Sequence, residues 1–102
     1  METNEIYRDF IGRKVLVRSI EAGVYFGTLE AGYGQAVRLT DARNIWHWTG
    51  ANCLADIADH GVKGDKISRN ISSIVITCAC QVMPLSESAI DNLYNQPVWT
   101  EC

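Results

Sequence analysis

The chain has little proline, no long apolar run and no excess of positive charge. Its two prolines, Pro84 and Pro97, leave most of its 102 residues free for regular structure. No apolar stretch approaches the roughly 20 residues a membrane-spanning helix requires. The acidic opening, Met1 to Ile6, does not read as a secretory signal, so the expected compartment is the cytoplasm, including that of an infected host cell. Nine Lys and Arg against twelve Asp and Glu give a formal net charge of −3. That balance argues against a protein that coats nucleic acid by charge, which needs a basic surface to displace counterions. It leaves room for a small anionic ligand, because a few arginines can make a local positive pocket. Four cysteines occur, but no Cys-x-x-Cys pair. A zinc site from Cys78, Cys80, His47 and His60 matches no standard ligand spacing, so no metal and no cofactor is expected. Also missing are Gly-x-Ser-x-Gly, a P-loop, His-Glu-x-x-His and Gly-x-Gly-x-x-Gly. Without a nucleophile or metal cluster, the chain does not read as an enzyme.

What is present suits one folded domain over 1–102. Hydrophobic residues make up 47% and charged residues 21%, ordinary values for a globular protein. Lys14 to Ile20 is rich in β-branched residues and reads as a first strand. Val24 to Glu30 reads as a second, with Gly27 inside it signalling a bulge or the close approach of another backbone. Gly32-Tyr33-Gly34 turns the chain tightly into a third strand from Gln35 to Thr40. The Trp46 region then forms a fourth strand, or continues the third past a kink at Asp41. Asn52 to Gly61 reads as a short helix, with Asn52 as cap and Gly61 as stop. Ile67 to Ile71 reads as a short strand. Ile74 to Met83 is the strongest strand signal, ended by Pro84, and Cys78 and Cys80 would lie buried within it. Ser86 caps a last helix whose Leu85 and Ile90 have hydrophobic-staple spacing. Val98 and Trp99 would dock the tail on the sheet. The fold class is mainly β (α+β). A small antiparallel SH3-like or Sm-like barrel is the first choice, or a bent sheet, with two short helices.

The densest chemistry lies in Asp41-Ala42-Arg43-Asn44-Ile45-Trp46-His47-Trp48. In an extended strand, Asn44, Trp46 and Trp48 share one face and Arg43, Ile45 and His47 the other. Indoles near an arginine suit a flat, partly anionic ligand, since indole stacks on a base and guanidinium forks onto phosphate. Arg18 alternates with Leu16 and Ile20, so its charge is expected on a half-buried face and needs a carboxylate or a ligand. Tyr25, beside the Gly23 turn, offers a stacking surface. Arg69 sits near a strand end, where binding loops gather. Each has an ordinary alternative. The tryptophans and Tyr25 can be packing, Arg18 can sit in an ion pair with Asp41 or Glu21, and Asp41 can be a surface carboxylate.

Ala22-Gly23-Val24-Tyr25-Phe26-Gly27-Thr28-Leu29 and Asp41 through Ala51 resemble a family of short phage and prophage proteins known only as a domain of unknown function. The likeness continues through Leu54 to Ala58, Gly61-Val62 and Ser86 to Trp99, with Asn44 standing where a basic residue is expected. The phage setting implies a small, catalytically empty, oligomeric anti-defence sponge. Such a protein sequesters a nucleotide immune signal, a cyclic oligonucleotide or a cyclic ADP-ribose variant. In that reading Trp46, Trp48 and Tyr25 wall the base and ribose. Arg18, Arg43 and Arg69 hold phosphate, and Asn44 and Asp41 read hydrogen-bonding edges. The alternatives are an interaction module that binds a host protein through a strand edge or the Trp-rich surface, and a single-stranded nucleic-acid-binding barrel.

Overall fold

In a computed structural model, which describes residues 5–47, 53–63 and 66–99, three consecutive residues of the first strand are fully buried. They are Val15, Leu16 and Val17 of β1 (Lys14–Ser19). A strand apolar at successive positions must be covered on both faces, and two separate cores do this. Leu16 faces one with Val24, Phe26, Ile45 and Ile57. Val15 and Val17 face the other with Leu29, Val37, Leu39 and Ile76.

β1 pairs antiparallel with β2 (Gly23–Tyr33), and β2 with β3 (Ala36–His47). The outer edge of β3 is shared. β4 (Lys66–Ile67) pairs with it at Ile45 and His47, while β5 (Ile71–Ile76) pairs from Val37 to Ala42. β6 (Ala79–Pro84) pairs on the far side of β1. Among the described residues this is a six-stranded, mainly antiparallel sheet that bends without closing. The bent sheet is therefore observed rather than a closed barrel, and three short helices accompany it rather than two. The additional one, α1 (Glu5–Arg8), has no buried residue of its own.

Two further sequence expectations are corrected. The run from Ile74 to Met83 is not one strand but the end of β5, a bend at Thr77 and Cys78, and β6. The bend is tied by a 3.0 Å contact between Ser19 Oγ and Cys78 Sγ and by the Ala79 N–H donating to Gln35 O. Cys80 is consequently exposed and Cys78 partly so, not buried together. Residues 68–70 are not strand either, because the chain leaves the β3 edge between β4 and β5.

The kink at Asp41 is where the sequence placed it. β3 continues through it, and Asp41 takes φ 50°, a left-handed value that aspartate tolerates better than most residues. Opposite, register shifts between Phe26↔Arg43 and Thr28↔Thr40, so two β3 residues face Gly27. A Cβ on Gly27 would lie 2.9 Å from Ala42 Cβ and 3.0 Å from Thr40 O. The bulge and the close backbone approach expected there are the same feature.

α2 (Leu54–His60) and α3 (Glu87–Tyr94) pack over the first core with Ile57, Ala58, Ala89 and Leu93. Ser86 Oγ accepts the Ala89 N–H at 3.1 Å, the expected cap. α2 starts instead at Cys53 with no side-chain cap; Asn52 lies outside the described residues. Gly61 ends α2 at φ 82°. The tail docks as expected, with the Trp99 N–H donating to Ile67 O at 2.8 Å.

Candidate functional site

Among the described residues that the sequence proposes for binding, Arg43 and Asn44 are buried, and Arg18 and Tyr25 lie on opposite faces of the sheet. Arg43 is almost completely buried, at 4% exposure, and four of its five N–H donors are taken. Nε donates to Ser68 O at 2.7 Å, Nη1 to Leu93 O at 3.2 Å and Gln96 O at 2.9 Å, and Nη2 to Pro97 O at 3.3 Å. Leu93 belongs to the last turn of α3, where the helix dipole is negative, and its carbonyl accepts the Gln96 N–H at 3.3 Å as well as Arg43. Arg43 thus caps α3 and ties its end to β3. No carboxylate pairs with it among the described residues, and burial pulls its pKa below the usual arginine value. This packing gives Arg43 a structural role beside the phosphate clamp expected from the sequence. A guanidinium engaged with four main-chain carbonyls has one N–H left for a ligand.

Asn44 is also buried. Its Nδ2 donates to Val24 O at 2.9 Å, and its backbone N–H donates to Ser68 Oγ at 2.8 Å. Asp41 is exposed but engaged on both carboxylate oxygens, by Lys14 Nζ at 2.7 Å and by Asn70 Nδ2. Its carbonyl accepts the Tyr94 hydroxyl at 2.8 Å, and Lys14 Nζ lies 4.6 Å from the Tyr94 ring centroid. The Tyr94 ring meets Phe26 edge-on at 4.9 Å. These contacts hold the left-handed kink and join β1, β3 and α3.

The Lys14 hydrogen bond lowers the Asp41 pKa, with smaller help from Asn70 and the Lys14 charge against the opposing desolvation. Burial, then the Asp41 charge, raises Tyr94 well above its ordinary value. Because the folded Asp41 pKa lies below that of the unfolded chain, its contribution is present above the ordinary value of 3.8 and is lost as pH falls through the folded value. Thermal melts taken across that acid range should fall less steeply for Asp41→Asn than for the wild type. Equal slopes would show that the Lys14 pair adds nothing to stability.

Arg18 and Tyr25 lie on opposite faces. Arg18 follows Leu16 on the helix-bearing side, opposite Val24. Tyr25 pairs with Asn44 across the strands and packs, half-buried, against the second core. Trp46 is 50% exposed near the end of β3, and Arg69 is exposed between β4 and β5. Trp48 lies outside the described residues.

Arg18 is exposed rather than half-buried. It has no ion pair within the described residues, so the alternative pairing with Asp41 or Glu21 is not observed. It stands on an open cleft of about 510 Å³ walled by Val24, Leu54, Gln81 and Met83, with Cys53 and Ala55 at the start of α2. Sequence reasoning missed these walls. Gln81 and Met83 sit in a plain β run and Leu54 on an ordinary helix, and only the pairing of β6 with β1 brings them beside Arg18.

Among the described residues no group of three or more His, Cys, Asp or Glu is placed to hold a metal ion. No helix there is long and apolar enough to cross a membrane. No curated protein and no solved structure matches the chain. Residues 12–93 match Domain of unknown function (DUF6948), from just before β1 to the last turn of α3. That span includes the sheet, Arg43 itself and the Arg18 cleft, and the chain belongs to the DUF6948 family.

Proposed function

We propose that the protein is a non-enzymatic binder of a small nucleotide-type ligand, with the Arg18 cleft as its first contact. The observation that carries this is an exposed arginine, without an ion pair among the described residues, lining a mostly apolar cleft. Its volume falls in the range of small-molecule sites. Arg18 would hold phosphate, Val24, Leu54 and Met83 would cover the base or ribose, and Gln81 would supply a hydrogen-bonding edge. The resemblance to phage proteins supports a sponge for a cyclic oligonucleotide or a cyclic ADP-ribose variant in the host cytoplasm.

A nanomolar sponge needs about 12 kcal/mol. One charge-assisted contact supplies roughly 1.5–3 kcal/mol and one stacked base roughly 1–3 kcal/mol. One open cleft on one chain falls short of that sum. The reading therefore includes a homo-oligomer in which a second copy encloses the ligand and Trp46 or Arg69 approaches from a neighbouring chain. Light scattering that returned only the 11.4 kDa species would remove this part.

The decisive experiment is to incubate the purified chain with lysate containing nucleotide immune signals, wash, denature, and identify released small molecules by mass spectrometry. For the molecule so found, Arg18→Ala should weaken binding by roughly 1.5–3 kcal/mol in calorimetry. Its melt should stay within a few degrees of wild type, because the side chain is exposed and makes no hydrogen bond or ion pair among the described residues. Unchanged affinity would move the site away from this cleft. The acidic composition still argues against a nucleic-acid binder; affinity growing with strand length and collapsing with salt would favour one.

A further inference from the structure

We infer that a second groove, on the opposite edge from β4 and β5, receives an extended peptide of a partner protein as an added strand beside β6. Three observations meet there. The first is an unpaired backbone edge. The Leu85 N–H donates to Lys14 O, and Met83 pairs with Leu16 in the same register. Donors alternate along an antiparallel strand, so Val82 turns its N–H and C=O away from β1. Pro84 occupies the next outward position, where a missing N–H costs no ladder bond. Among the described residues no strand pairs with this edge. Only its start is engaged, through the Ala79 N–H donating to Gln35 O.

The second observation is a facing wall. Tyr7 of α1 lies over Gly32, so close that a Cβ there would stand 2.5 Å from its ring, and its hydroxyl donates to Gly34 O at 2.6 Å. This fixes α1 across from β6 and leaves an open cleft of about 680 Å³ between them. Its floor is the unfinished side of the second core, where Tyr7, Phe10 and Val82 remain partly exposed. Ile6, 82% exposed, stands on the α1 wall. A strand set between a sheet edge and a helix binds through its main chain and places alternate side chains in the groove.

The third is charge. Among the described residues, Glu5 is the one charged residue lining the cleft, on a chain of net charge −3. The occupant is therefore an extended segment with alternating apolar residues and a lysine or arginine opposite Glu5. A second copy of this chain fits poorly, because its own β6 edge is recessed behind its own α1.

The test selects binders to the full-length chain from a random octapeptide display library and measures the winners by fluorescence anisotropy. Enriched peptides should alternate apolar residues and carry a basic one. Val82→Pro removes the outward N–H and should weaken them about tenfold, the range for a lost hydrogen bond. Methylating alternate peptide amides should do the same. Glu5→Lys and Ile6→Glu change exposed side chains and should weaken binding without altering the melt. Arg18→Ala should leave it unchanged, which separates this groove from the nucleotide cleft. Failure to enrich any peptide would overturn the proposal. So would peptides that bind the Val82→Pro and Glu5→Lys variants as tightly as wild type, or an edge that Val82→Pro shows to serve only pairing between copies of the chain.

Discussion

Arg43→Ala should be the most damaging single substitution outside the apolar cores, costing about 3–5 kcal/mol of stability. The side chain is buried and donates to four carbonyls contributed by the segment after β4, the last turn of α3 and the chain beyond it. Removing it takes that donor from Ser68 O, Gln96 O and Pro97 O, while Leu93 O keeps the Gln96 N–H, and it opens a void between β3 and α3. At roughly 4–8 °C per kcal/mol for a domain of this size, the melting temperature should drop by about 12 °C or more. Arg43→Lys should recover only part of this, because one ammonium cannot span carbonyls that a planar fork reaches from both sides. Arg43→Met, of similar length and apolar, should be nearly as harmful as alanine, since the lost quantity is hydrogen bonding rather than bulk. Chemical denaturation of the three variants measures the series. A wild-type melt for Arg43→Ala together with lost ligand affinity would restore this arginine to the role its sequence context suggests, a clamp on phosphate.

Gly27→Val should cost about 3 kcal/mol or more, by overpacking against backbone that cannot retreat. The nearest atoms to a new Cβ are Ala42 Cβ, Ala42 Cα and Thr40 O, at 2.9, 3.0 and 3.0 Å. Two of these are main chain of β3 on either side of the Asp41 kink. Relief requires β2 and β3 to part where the bulge brings them together. The second change Ala42→Gly removes the one contacting side chain and should return part of the loss, while Ala42→Gly at a site distant in effect would simply add its own penalty. Paired denaturation curves for the single and double variants give the coupling. A Gly27→Val chain as stable as the wild type would mean that the bulge yields cheaply and that the glycine is not required for its geometry.

The sequence by itself determined the mainly β class, the first strand, the start of the second, the Asp41 kink, the Gly27 bulge and the Ser86 cap, whereas the turn expected at Gly32-Tyr33-Gly34 lies later, at Gly34 and Gln35, because Gly32 and Tyr33 continue β2. Each depends on local chemistry. β-branched residues favour pleated backbone, aspartate and glycine admit left-handed φ, and a serine hydroxyl satisfies an orphan N–H three residues on. The bend at Thr77 and Cys78 left no such mark. It carries no glycine or proline, and an apolar run reads the same whether it serves one strand or is divided between two sheet edges. Only the tertiary structure decided that β5 joins β3 while β6 joins β1, and this choice places Gln81 and Met83 beside Arg18 and leaves the far edge of β6 open. Tertiary structure also separated the arginines. Arg18 and Arg43 both sit among apolar residues in strands, and alternation directs both side chains to the helix-bearing face. What differs is the element waiting there. The carbonyls at the end of α3 capture Arg43, and the cleft at the start of α2 leaves Arg18 to solvent, a difference set by contacts 50 or more positions apart in the chain for Arg43 and invisible to any local pattern.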